Sequence, residues 1–185
     1  MCARFQSRKR PWWAELLGGM IAGLSATVAM SKFQSAWNTT ARRMAFSAGE
    51  PDVFVGSVNS QPTDVETTKI VLNRVADLVG YEVSDVAVTK TALALHYGIG
   101  AAGGYVYCLL GPVAFQRFEE EHSLLAGAAF GSAFFLAADL ATLALRGFPD
   151  KGSQSPLGTR FYGLSSHIIY GVAAAQASKA VRIFL

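Results

Sequence analysis

Four stretches of this chain are long and apolar enough to fill a bilayer, and that limits its possible folds more than anything else in the sequence. They run from about 13 to 37, 90 to 110, 122 to 145 and 161 to 184. A helix of about 20 apolar residues crosses a hydrocarbon core. In lipid the backbone must satisfy its own N–H and C=O groups, so such segments form helices. The expected fold class is all-α: an integral membrane four-helix bundle forming a single membrane domain over residues 1–185. Composition agrees, since 51% of the residues are hydrophobic and only 16% are charged, against about 25% charged in a soluble domain.

The flanks of the first segment set its boundaries. Pro11 suits a helix start, and Trp13 and Trp37 suit the two interfaces. They are about 24 residues apart, roughly 36 Å at helical rise. A basic stretch ahead of an apolar one is also the pattern of a cleaved leader. The length from Ala14 to Met30, and the lack of a small-x-small site before Lys32, favour a retained span. Arg4, Arg8, Lys9 and Arg10 place both termini in the cytoplasm, while Arg42 and Arg43 pull the other way. The net charge of +3 is therefore a membrane flank and not a nucleic-acid signal. No basic run is interleaved with stacking aromatics. Expected partners are the bilayer and other membrane subunits or a second copy, with no nucleic acid. Cys2 and Cys108 are too differently placed to suggest a disulfide, and Cys108 reads as a small packing residue.

Between the first two spans lies a long polar connection, about Asn38 to Thr89. Residues 63–79 in it read as an amphipathic surface helix. Thr63 and Glu66 match a capping box, Val71, Val75, Leu78 and Val79 share a face, and Gly80 is a natural stop. Such a helix lies on the membrane surface or packs on its neighbours. Gly111-Pro112 ends the second span. Arg117 with Glu119, Glu120 and Glu121 forms a charged turn before the third.

Glycine pairs recur in the spans. Gly19 and Gly23, Gly100 and Gly104, and Gly127 and Gly131 are each four residues apart, the spacing that allows close helix contact. Leu17 to Gly23 resembles Leu125 to Gly131, and Tyr97 to Ala102 resembles Tyr170 to Ala175. The likeness suggests a 2+2 internal repeat with parallel halves; the competing explanation is that Gly/Ala-rich membrane helices resemble one another.

The candidate site is a set of ionisable groups in the spans: Lys32, His96, Asp139 and His167, one per helix. Counted from the helix ends, all four fall near the same depth and the same membrane face. Charged groups in lipid are costly and turn inward or towards each other. Holding the helices in register is the expected role of this polar layer. Proton or ion handling through histidine, a transition metal on His96, His167 and Asp139, or a haem between His96 and His167, are the alternatives. No second ligand sits on either histidine's own helix, so no cofactor is expected. Ser165 and Ser166 precede His167 without a nucleophile-elbow context, and no HExxH pattern occurs, so no enzyme is expected.

Leu17 to Gly23, His96-Tyr97-Gly98, Leu125 to Gly131 and His167-Ile-Ile-Tyr170-Gly171 together make the chain similar to the YagU-like family of small bacterial inner-membrane proteins. The likeness covers most of the spanning portion but not residues 38–89. His96 abuts its Tyr-Gly, whereas His167 lies three residues before Tyr170. The resemblance implies a helical bundle in the bacterial inner membrane and leaves the activity open. The expected function is that of a small structural or accessory subunit of a larger membrane complex. The alternatives are a small transporter, channel or proton-handling protein, and then a redox subunit.

Overall fold

The computed structural model describes residues 11–47, 84–114, 116–146 and 157–184, with 68, 69, 72, 73, 75–77 and 80 in the first connection. All of them except Pro11, Gly80 and Ser84 are helical, and there is no strand among the described residues. The four long helices are α1 (Trp12–Ser47), α2 (Asp85–Ala114), α3 (Gln116–Arg146) and α4 (Leu157–Phe184). Three stretches are long and apolar enough to cross a membrane: Trp12–Thr40, Asp85–Leu110 and Glu121–Ala141.

The helices outrun the apolar segments. α1 continues ten residues past Trp37, because no glycine or proline follows until Gly49 and each added residue gains a backbone bond. α2 begins at Asp85, five residues before Lys90. Ser84 caps it, with the Ala87 N–H donating to the Ser84 hydroxyl at 3.4 Å and the Val88 N–H to the Ser84 carbonyl at 3.0 Å. The charged turn expected at Arg117 to Glu121 is helical, and His122 kinks it from the rest of α3 with φ −132° and ψ 46°.

In the first connection, residues 68–69, 72–73 and 75–77 are helical. Gly80 follows with φ 68° and donates to the Asp77 carbonyl at 3.2 Å, a backbone state that glycine adopts without cost. The N-terminal basic cluster, the Thr63–Glu66 pair, and Val71, Leu78 and Val79 lie outside the described residues.

α1 packs extensively on α2 and on α4, and α3 on α4; α2 meets α3 and α4 only lightly. The inner pair is thus α1 and α4, flanked by α2 and α3. Trp37 stands 6.0 Å from Tyr162 and 6.5 Å from Phe161, while Ala26 and Met30 pack with Tyr170 and Ala174. These levels run in opposite senses along the two helices, so α1 and α4 are antiparallel. The core is Ala26, Met30, Tyr170 and Ala174, with Phe130, Phe134 and Ala173 against it.

Candidate functional site

Backbone contact sets the register of both hairpins. A Cβ on Gly23 would overlap the Gly100 carbonyl oxygen, and one on Gly19 would stand 2.7 Å from the Tyr105 Cα. A Cβ on Gly104 would overlap the Gly23 backbone. In the second hairpin, a Cβ on Gly127 would lie 2.6 Å from the Gly171 carbonyl, and one on Gly131 would overlap the His167 carbonyl. Five of the six paired glycines therefore face the backbone of a neighbouring helix, while a Cβ on Gly100 would overlap the Thr27 side chain. Two α4 residues complete the second contact: Gly171, and His167 through its backbone.

The packing partners differ from the residues matched by sequence likeness. Tyr97 and Tyr170 look equivalent in sequence. In space, Gly100 is to Gly23 what His167 is to Gly131, and Gly104 is to Gly19 what Gly171 is to Gly127. The likeness of the second and fourth segments is offset by about two turns from the shared packing pattern.

These registers also fix the depth of each ionisable side chain. Gly131 meets His167, so Asp139 lies eight residues further along α3, roughly 12 Å at helical rise. The expectation of equal depth fails here because it assumed level helix ends. The Gln176 side-chain amide donates to the Ser123 hydroxyl at 3.1 Å, so α4 runs about two turns past the start of the straight part of α3. Gly23 meets Gly100, which puts Lys32 about five residues, roughly 7–8 Å, nearer the shared face than His96. Asp139 and Lys32 are both exposed on the outside of the bundle. The four groups do not converge as a layer, and among the described residues no three His, Cys, Asp or Glu side chains are grouped to hold a metal ion.

The two histidines remain at related positions. Each lies about one turn from the hydrogen bond that crosses the bundle, the Tyr170 hydroxyl donating to the Gly100 carbonyl at 2.5 Å, and both lie on the same side of it. His96 is half-buried, its ring edge-on to Tyr97 at 5.5 Å. His167 is 9% exposed, its ring 5.9 Å from Phe134 and 5.4 Å from Phe135. Its Nδ1 is 2.9 Å from the Gly163 carbonyl oxygen. A carbonyl only accepts, so Nδ1 carries the hydrogen, and Nε2 is the nitrogen left for a proton or a metal.

Around this crossing aromatic rings pack closely on one another and on Gly103. Tyr170, 1% exposed, stacks on Phe134 at 5.4 Å. Phe134 stacks on Phe130 at 6.0 Å, and Phe130 meets the edge of Tyr107 at 5.1 Å. A Cβ on Gly103 would stand 2.8 Å from the Tyr170 hydroxyl and 3.1 Å from Phe134. The aromatic ladder therefore closes the seam where α2 and α3 only lightly meet.

Four uncharged polar residues are also buried: Thr27, Gln34, Ser166 and Ser178. Three bond within their own helices, Thr27 to the Gly23 carbonyl, Ser166 to that of Tyr162 and Ser178 to that of Ala175, each at 2.9 Å. A signal was present. Gly19, Gly23, Thr27, Met30 and Gln34 follow one another at helical spacing, as do Tyr162, Ser166, Tyr170, Ala174 and Ser178.

No family model matches the chain, and no match is found among curated proteins or among solved structures.

Proposed function

We propose that the chain is a four-span integral membrane protein serving as a structural or accessory subunit of a larger membrane complex. In keeping with its YagU-like resemblance, we place it in a bacterial inner membrane with both termini cytoplasmic. One observation carries the reading: the interior is occupied by backbone contacts and stacked rings, while the outer faces are apolar. Leu24 and Val28 on α1, Ile99 and Leu110 on α2, and Leu136 and Leu140 on α3 are all exposed. Lipid covers such faces, and so does a neighbouring membrane helix.

The fourth span rests on packing. α4 is absent from the three stretches that qualify by apolarity. It nevertheless runs beside α1, from the level of Trp37 to beyond that of Ala26. If α1 crosses, α4 crosses with it. Its lower apolarity comes in part from Tyr162, Ser166, His167 and Ser178, which are buried, and in part from Gln176, which is exposed and donates to Ser123 on α3.

Purification in mild detergent followed by native mass spectrometry tests the subunit reading. The expected result is a stoichiometric partner or a second copy. A bare monomer, from membranes where the protein is made at natural levels, overturns it. A stoichiometric haem or metal lost on His167→Ala would replace it with the redox reading.

A further inference from the structure

We draw no further inference here: the strongest candidate, the outward stripe of Ala94, Gly98 and Ala102 on α2, where a Cβ added at Gly98 would meet no atom within 4 Å, is a run of small residues on an unpartnered apolar face, and nothing in the structure shows what covers it.

Discussion

The Tyr170 hydroxyl joins the second hairpin to the first, and its removal separates two contributions of one side chain. Tyr170→Phe keeps the ring stacked on Phe134 and deletes only the bond to the Gly100 carbonyl. Hydrogen bonds between membrane helices average about 0.6 kcal/mol and reach about 1.7, so a loss of about 1 kcal/mol is expected. Tyr170→Ala also empties a fully buried volume, and large aromatic truncations cost about 3–5 kcal/mol. Reversible unfolding in mixed micelles reads both values; equal losses for the two variants would mean that the ring contributes nothing. The ionisable groups give the opposite expectation. Lys32→Gln and Asp139→Asn alter exposed side chains at different depths, and each should shift stability by no more than about 0.5 kcal/mol. A double-mutant cycle on this pair should show no coupling, and a coupling above about 1 kcal/mol would show that the two charges interact. His167→Ala differs, since it deletes a buried ring, its bond to Gly163 and its contact with two phenylalanines. The sequence displayed all these residues but not their rotation about the helix axes. Lys32 could have been placed outward, because it lies two residues from both Met30 and Gln34 and so about 200° round the wheel from each.

Among the elements, glycine spacing was the most legible feature. The pairs in the first three spans lie at helix contacts. The partner surface of Gly127 and Gly131 was less legible, because it is made by Gly171 and the backbone of His167 and so carries no second glycine pair. Registers between helices were not legible at all. They depend on which turns meet, and counting from apolar boundaries misplaced Asp139 relative to His167 by about two turns. Helix ends were misjudged for a related reason: hydropathy marks where lipid ends, whereas a cap marks where a helix begins, as Ser84 shows. The glycine contacts are open to direct test. Gly104→Ala would drive a methyl into the backbone of Gly23, which cannot rotate away as a side chain would. The helices must part, at a cost of about 3 kcal/mol, the upper range for overpacking. Gly98→Ala on the same helix meets open space and should be neutral or stabilising by up to about 1 kcal/mol. Thermal melting of the two variants side by side decides the matter, and similar melting temperatures would remove backbone contact as the basis of the α1–α2 hairpin.

For the whole molecule, the arrangement of α1 and α4 links packing to topology. A helix that lies at the periphery of a bundle must be apolar on the lipid side, so hydropathy detects it; one in the inner pair, such as α4, can present hydroxyls, an imidazole and tyrosines to its neighbours and still cross. These buried groups account for part of why the fourth segment reads as a span by length but falls short by apolarity, and the exposed Gln176 accounts for another part. If α4 crosses antiparallel to α1, Trp12 at the start of α1 and Ile183 near the end of α4 reach the same membrane face. Thr40 and Arg160 reach the other. Both Trp12 and Ile183 are well exposed, at 76% and 80%, so single cysteines there would be open to reagent. Placed one at a time in a Cys2→Ser, Cys108→Ser background, cysteines at 12 and 183 should react with an impermeant maleimide from one side of sealed membrane vesicles, and cysteines at 40 and 160 from the other. Inverting the vesicles should exchange the two results. Labelling of 183 from the face that labels 40 would show that α4 fails to cross, which would end the four-span bundle and leave α4 as a helix held against three spans.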